Sequence, residues 1–365
     1  MLLARLAHVL PGRSLRLLGQ SGGPRLWSSA QNSIKSKLPT MPSLGSGKSL
    51  LPKRDLQALK MRKYSREPGD RDRSQLESRT RGPSLKDRMM GPPSENAYSM
   101  GKGAAAGAAL MGLVGLCYYG LGLAKQPSIY DHSVVWPQYV RDRIHATYAY
   151  FGASCALTAA SSAAIFQSDA MMAMLTRSGW IASLITLGVV MLSGALAQSI
   201  EYQPGFGPKQ LAWAVHCAVL GAVLAPMCLL GGPILIKALM YTGGVVGALS
   251  TVAYCAPSEK FLHMGGPLAI GLGIVFASSL ASMWLPPTTA VGAGLASMSL
   301  YGGLILFSGF LLYDTQRIVK SAEHHPQNSS TLFDPINHAM AIYMDALNIF
   351  IRIAIILAGQ DQKRK

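Results

Sequence analysis

Long apolar stretches alternate with short polar connectors over most of the chain. Each stretch holds about 20 residues, the length of α-helix that crosses the hydrocarbon core of a bilayer. Prolines and glycines in the connectors mark where one helix ends and the next begins. The predicted spans are 103–124, 144–166, 179–200, 210–230, 234–255, 264–285, 290–313 and 337–359. The pattern therefore predicts an all-α polytopic membrane protein with eight transmembrane helices.

The first predicted span, 103–124, is unusually rich in glycine. Gly103 and Gly107 are spaced four residues apart, and more glycines follow along the same segment. Small residues at this spacing allow two helices to approach closely. We expect this span either to dock on the remaining helices, within 125–365, or to dimerise. An even number of spans would place both ends of the chain on one side of the membrane.

Positive charge is concentrated before the first span. Residues 1–102 contain 20 Lys and Arg against 7 Asp and Glu, whereas residues 103–365 contain 13 against 10. Residues 28–102 show no sustained hydrophobic period, so they are predicted to form a basic and mostly disordered tail. Such a tail either contacts anionic lipid, for example cardiolipin, or is solvated without a ligand. Interleaved aromatic residues are scarce there, which argues against nucleic-acid binding.

The first 27 residues have the composition of a mitochondrial transit peptide. No acidic residue precedes Asp55, and the first ten residues place leucine and valine on one helical face. Arginine-rich, acid-poor, amphipathic segments of this kind direct proteins to mitochondria. Arg25 lies three residues before the predicted cleavage site, between Trp27 and Ser28. The sequence thus predicts a transit peptide over 1–27.

Known catalytic motifs are not apparent in the sequence. The five cysteines lie in or beside apolar segments and form no C-x-x-C pair, so neither a disulfide framework nor a zinc site is predicted. Tyr313-Asp314 matches one half of the intramembrane aspartyl protease signature. Ile-Tyr-Met precedes Asp345 where the other half requires Gly-x-Gly. We therefore expect no enzymatic activity and no cofactor.

Two aspartates occupy costly positions, one at the end of the seventh predicted span and one inside the eighth. Asp314 ends the apolar run that begins at Leu300, and Asp345 lies inside the final span. A carboxylate near the centre of a bilayer helix costs roughly 2.5–3.5 kcal/mol on insertion scales, so such residues usually have a function. The connector between the two spans holds about 20 residues and favours antiparallel neighbours. This arrangement would bring the two carboxylates together.

A close carboxylate pair can bind both protons and calcium. Two like charges repel in a medium of low dielectric constant, so the pair is expected to share a proton. Carboxylate oxygens are also the hard ligands that calcium prefers. Protons and calcium would then compete for the same oxygens, as an exchanger requires. Asp314 and Asp345 are accordingly the predicted ligands for protons and for the metal ion.

Three further polar residues are candidates for supporting the pair. Asn348 and Arg352 follow Asp345 at three and seven residues, and His338 precedes it by seven, so all share one helical face. Arg352 could instead neutralise a charge locally or extend to the membrane surface. His338 is the next candidate for a titrating group if the aspartates do not titrate.

Two motifs resemble the paired C-terminal motifs of the transmembrane Bax-inhibitor-motif family. They are LLYDTQ at 311–316 and IYMDALNIF at 342–350. Segments at 116–123, 136–145, 256–262 and 285–290 are similar to a mitochondrial member of that family. The resemblance implies a seven-helix bundle after one extra N-terminal helix, in the inner mitochondrial membrane. It also implies calcium–proton exchange or a cation leak, roles in cristae organisation and cell survival, and a pH-sensing role for the two aspartates.

The sequence departs from the family in one loop. Bacterial relatives carry an arginine cluster at the end of the second core helix that can latch an aspartate, whereas here the loop 198–209 offers only Lys209. Two alternatives follow: this chain has no such latch, or Arg352 takes the place of the missing arginines. A second hypothesis for function is a non-transporting scaffold that holds cristae-organising or protease proteins through its bundle and its basic tail.

Overall fold

A computed structural model describes the helical part of the chain. The described residues are 85–93, 96–120, 128–133, 136–176, 180–257, 259–326 and 332–362. The predicted transit peptide, its cleavage site between Trp27 and Ser28, and most of the predicted tail lie outside them. Within the described ranges the fold is helical, with one isolated β-bridge between Ser128 and Pro257.

The long helices are numbered here in chain order. They are α1 (Asn96–Gly120), α2 (Gln138–Phe166), α3 (Trp180–Ser199), α4 (Pro208–Leu224), α5 (Gly232–Cys255), α6 (Gly265–Trp284), α7 (Ala290–Ser297), α8 (Gly303–His324) and α9 (Pro335–Gln362). A 3-10 helix over Ala225–Leu230 extends α4, and a π-helical turn over Met298–Gly302 joins α7 to α8. Shorter helices cover Leu85–Met90, Ile129–Ser133, Asp169–Leu175 and Leu262–Met264.

Eight segments of the described chain are long and apolar enough to cross a membrane. The seventh consists of α7, the π turn and α8 together. Large apolar side chains such as Ile181, Leu192, Met240 and Ile270 are exposed on the outside of the bundle. In a bilayer this surface contacts lipid, while the helices satisfy their own backbone hydrogen bonds. The prediction of an all-α polytopic membrane protein is confirmed.

Proline and glycine set the ends of several helices. Pro208 and Pro233 lie in the first turns of α4 and α5, and α9 begins at Pro335. Proline is tolerated at these positions because a first-turn N–H has no acceptor within the helix. Gly231 has a φ of 95°, a left-handed conformation that glycine adopts without strain, and this lets the chain reverse before α5.

Successive spans run antiparallel, so the bundle has two ends. What we call the Pro335 end contains the start of α9, and the Gln362 end contains its last turn. Arg143 in α2 donates hydrogen bonds to the carbonyls of Ala322 and His325, which places the start of α2 and the end of α8 at the Pro335 end. α9 packs against α2, α5 and α8, so it lies at the centre of the helices that form the core.

The extra helix α1 docks on the outside of this bundle. It packs against α5, α7 and the π turn. Gly101 lies against Ser297 and Tyr301, whereas Gly115 lies near Val252. The sequence allowed this helix either to dock on the remaining helices or to dimerise, and within the chain it docks. α1 begins at Asn96, earlier than the predicted start at residue 103, and this first turn lies at the same end of the bundle as the last turn of α9.

The seventh span is longer than predicted. The sequence places its end at residue 313, but α8 continues to His324. The polar residues after Asp314 do not end the helix because other parts of the protein satisfy them. Thr315 Oγ1 donates to the carbonyl of Leu311, and the buried Gln316 amide donates to the carbonyls of Ala253 and Pro257. Asp314 consequently lies inside a helix and not at its end.

Candidate ion-binding site

Asp314 and Asp345 lie at the same depth on neighbouring antiparallel helices. Asp314 is ten residues before His324, the last residue of α8, and Asp345 is ten residues after Pro335, the first residue of α9. At 1.5 Å per residue, each carboxylate is about 15 Å from the Pro335 end. The two helices pack along their length, so this shared depth brings the two side chains face to face.

The two carboxyl groups are buried and contact each other. Asp314 is 7% exposed and Asp345 is 5% exposed. Their side chains lie within the range of a mutual hydrogen bond. Because a carboxylate can only accept, a hydrogen bond between two carboxyl groups requires a proton on one of them. Asp345 Oδ2 has no hydrogen-bond partner among the described residues. The pair is thus arranged to bind a proton or a cation.

A cation on the same helix lies beside the pair. Arg317 Nη1 is 3.8 Å from Asp314 Oδ1, one turn along α8, and the Arg317 side chain is 56% exposed. An ion pair this long and this exposed contributes little to stability. Arg317 therefore leaves Asp314 available to other cations. In the sequence it is only one of the polar residues after Asp314, and its proximity follows from the continuation of α8.

A cavity connects Asp314 to the Pro335 end of the bundle. Its volume is about 280 Å³, and it is lined by Gln198, Asp314, Arg317, Ile318, Asn337, His338, Met340, Ala341 and Met344. On α8 and α9, all of the described lining residues lie at the level of the pair or nearer the Pro335 end. The cavity is therefore a vestibule that leads from that end to Asp314, whereas Asp345 lies directly behind the lining residue Met344 in the chain and is not itself part of the lining.

His338 lines this vestibule but belongs to an aromatic stack. Its ring lies 5.1 Å from the Phe333 ring in a nearly parallel arrangement. The stack fixes the imidazole at the mouth of the vestibule, about two turns from Asp345. The structure thus places His338 near the route to the pair and not in contact with the carboxylates.

Asn348 and Arg352 extend from Asp345 towards the other end. Arg352 Nη1 donates to Asn348 Oδ1 at 2.9 Å and to the Asn348 carbonyl at 3.0 Å. Its guanidinium also lies 4.6 Å from the centre of the Phe307 ring. Asn348 Nδ2 donates to the Met344 carbonyl. Both residues share the helical face of Asp345, as predicted, and together they form a polar stripe on the Gln362 side of the pair.

Lys209, the one cation in the loop 198–209, does not latch an aspartate of the pair. It is 1% exposed, forms an ion pair with Asp334 and donates to the Ile200 carbonyl at 2.7 Å. Asp334 Oδ1 accepts hydrogen bonds from the backbone N–H groups of Ile336 and Asn337. Lys209 therefore fixes the start of α9 instead of holding an aspartate of the pair. Sequence reasoning missed Asp334, although an aspartate before a proline is a recognisable helix start.

The described residues contain no cluster of three or more His, Cys, Asp or Glu side chains that could hold a metal. Calcium takes six to eight oxygen ligands. Two carboxylates supply at most four, so water or backbone oxygens must complete the shell.

Comparison with known proteins places the chain in a family. Residues 140–362 match the model of the family described as inhibitor of apoptosis-promoting Bax1. The chain belongs to this family. Over 304 residues it is 49% identical to the growth hormone-inducible transmembrane protein of Rattus norvegicus, with coverage of 82% of this chain and 88% of the relative.

More distant members of the family match less of the chain. Bax inhibitor 1 of Homo sapiens is 30% identical over 146 residues, which are 40% of this chain and 57% of that protein. Bax inhibitor 1 of Bos taurus is 26% identical over 243 residues, which are 65% of this chain and 94% of that protein. The family match covers α2 to α9 except the first two residues of α2, so α1 is an addition in front of the family domain.

Proposed function

We propose that this family member is a calcium–proton exchanger or pH-gated calcium pathway of the inner mitochondrial membrane. The observation that carries the proposal is the buried contact between Asp314 and Asp345 at the inner end of a vestibule. Intramembrane carboxylates that face a water-filled cavity commonly carry protons or ions. Through this transport the protein would contribute to cristae organisation and to the control of apoptosis.

The chemistry of the pair supports competition between the two ions. When calcium binds the oxygens of Asp314 and Asp345, the shared proton must leave, because the metal and the proton need the same lone pairs. When protons arrive, they neutralise the carboxylates and calcium leaves. Exchange then requires that the pair faces the two sides of the membrane in turn.

The basic segment before α1 supports the location and the orientation. Its acid-poor start is typical of a mitochondrial transit peptide, and positive charge is retained on the inner side of membranes. If the start of α1 and the end of α9 face the matrix, the vestibule faces the intermembrane space. Protons driven by respiration would then enter the vestibule and displace calcium from the pair.

Transport by the purified full chain in liposomes tests the proposal. Calcium and pH dyes inside the vesicles would record the two ions together. We expect opposite movements of calcium and protons, and we expect Asp345→Asn to stop the proton movement and to make the remaining calcium flux independent of pH. Asp169→Asn is a matched control, since Asp169 is exposed at the start of a short helix. Calcium movement without protons, or movement that Asp345→Asn leaves unchanged, would contradict the exchanger.

A scaffold without transport activity is the second candidate. The outer face of α1 carries exposed Leu110 and Val114, and Gly103 and Gly107 have open space where a Cβ would stand. A partner helix could pack there as closely as on other small-residue surfaces. Cells that lack the protein would separate the two functions. Normal cristae restored by the double variant Asp314→Asn and Asp345→Asn would favour the scaffold, and failure at normal protein levels would favour transport.

A further inference from the structure

Arg352 occupies a built site on the side of the pair opposite the vestibule. It lies seven residues after Asp345 in α9, which is about 10 Å nearer the Gln362 end. Its side chain is half-buried and bridges three elements: α9 through Asn348, α8 through Phe307, and the π turn through Ser299. The contact with the π turn is a hydrogen bond of 3.4 Å from Arg352 Nε to the Ser299 carbonyl.

Glycine at position 303 makes room for this arginine. A Cβ on Gly303, the first residue of α8, would collide with the guanidinium atoms of Arg352. A planar cation can lie on a helix backbone only where no side chain intervenes. Because Gly303 has no side chain, the Arg352 guanidinium packs directly against the backbone at the start of α8. We call this contact the seat of Arg352.

The π turn beneath the arginine is an irregular part of the seventh span. Single π-helical turns within α-helices are rare and are frequently found at functional sites. The turn over Met298–Gly302 carries the Ser299 carbonyl that accepts from Arg352. The buried Ser299 hydroxyl is hydrogen-bonded to Ser279 of α6, so the turn also ties α6 to α8 and α9.

The two sides of the carboxylate pair are therefore different. Towards the Pro335 end lies the vestibule of about 280 Å³. Towards the Gln362 end lie apolar side chains such as Ile349 and Leu304, together with the seated Arg352. A fixed positive charge repels a passing cation, and a low dielectric constant strengthens that repulsion.

We propose that Arg352, seated on Gly303 and the π turn, closes the Gln362 side of the aspartate pair to cations and thereby couples calcium movement to proton movement. The inference rests on the proposed function and identifies the residue that prevents a leak. While Arg352 is seated, an ion at the pair can leave only through the vestibule. Exchange across the membrane then requires that Arg352 leaves its seat in a separate, closed-vestibule conformation.

The ratio of protons to calcium ions moved by the full chain in liposomes tests this proposal. We expect Arg352→Gln to conduct calcium down its gradient with the proton-to-calcium ratio lowered about tenfold, as expected for loss of one charge–charge repulsion at this distance. Gly303→Ala should lower the ratio in the same direction, because the methyl group displaces a guanidinium that is still present. Arg352→Lys should lower the proton-to-calcium ratio less than Arg352→Gln does, because lysine keeps the positive charge.

Lys320→Gln is the matched control. It removes a cation from α8 that is exposed and bound to Glu259, outside the vestibule, so its ratio should equal that of the wild type. Elution volume and melting temperature in detergent would show that each variant is folded. If Arg352→Gln and Gly303→Ala transport slowly but keep the wild-type ratio, Arg352 only holds the helices together, and the proposal is wrong. If the wild type shows no calcium flux at all, the result contradicts the proposed function itself.

Discussion

Lys209, at the start of α4, is almost fully buried against Asp334, the residue that caps α9. Lys209 is 1% exposed, whereas the Asp334 side chain is 22% exposed. The same lysine donates to the carbonyl of Ile200, the residue that directly follows α3. One charged side chain therefore joins three helices at the Pro335 end, where the vestibule begins. Because α9 carries Asp345, this contact also sets the position of the aspartate pair.

Removal of Lys209 should destabilise the fold strongly. Breaking a buried ion pair by removing one partner typically costs about 3–5 kcal/mol, because the other charge is left without compensation. We expect Lys209→Met to lower the free energy of unfolding by about 3 kcal/mol. This is the lower end of the usual range, because Asp334 is partly solvated and its charge costs less when it is left unpaired. Unfolding in mixed detergent micelles would measure this. The double variant with Asp334→Asn should lose less than the sum of the two single losses; additive losses would show that the pair does not act as a unit.

Substitutions of Asp345 should separate its charge from its position. Asp345→Glu keeps the ionisable group but moves its oxygens by one methylene, so calcium transport should persist with a shifted pH profile. Asp345→Asn should remove the pH dependence, because an amide does not titrate in this range. The measurement is calcium flux in liposomes as a function of pH. An unchanged pH profile in Asp345→Asn would place the titrating group elsewhere, and His338 would be tested next.

Close contact between α2 and α4 should make Gly221 sensitive to substitution. A Cβ on Gly221 would lie 2.7 Å from the Thr158 carbonyl oxygen and from Ser161 Cβ. A backbone atom cannot move aside cheaply, so Gly221→Ala should cost about 1–3 kcal/mol of stability. Gly152→Ala in α2 is the matched control, since open space surrounds Gly152. A fall in melting temperature with Gly221→Ala alone is expected; equal effects at both sites would contradict the close contact.

The exposed pair of Glu259 and Lys320 should respond to pH in a defined direction. The hydrogen bond from Lys320 Nζ to Glu259 Oε1, at 2.6 Å, lowers the pKa of Glu259 below its usual value. A lowered pKa in the folded state means that the stabilisation is present above the unfolded pKa and is lost as the pH falls through the folded one. Lys320→Gln should return the Glu259 pKa towards its usual value. A titration of the labelled Glu259 carboxyl carbon by NMR would show this, and an unmoved titration curve would contradict the assignment.

Local patterns in the sequence were sufficient to predict the spans. Membrane helices must be long, apolar and internally hydrogen-bonded, so the length and composition of each segment predict it without knowledge of its neighbours. The predicted end of the seventh span, residue 313, was too early, because α8 continues to His324 and includes the polar residue Gln316. Its amide is instead buried and bonded to Ala253 and Pro257, which are far away in the sequence.

The sequence by itself determined the fold class, the number of spans and the two aspartates that are costly in a membrane. Each of these follows from the transfer cost of single residues or short segments, which sequence neighbours reveal. Only the tertiary structure decided that Arg317 lies beside Asp314, that Lys209 holds Asp334, and that Arg352 is seated on Gly303. These are contacts between charged side chains and groups whose closeness depends on how helices pack. The way helices pack determines the depth of each side chain in the bundle and the direction in which it points. The spacing of residues along the sequence does not contain this information.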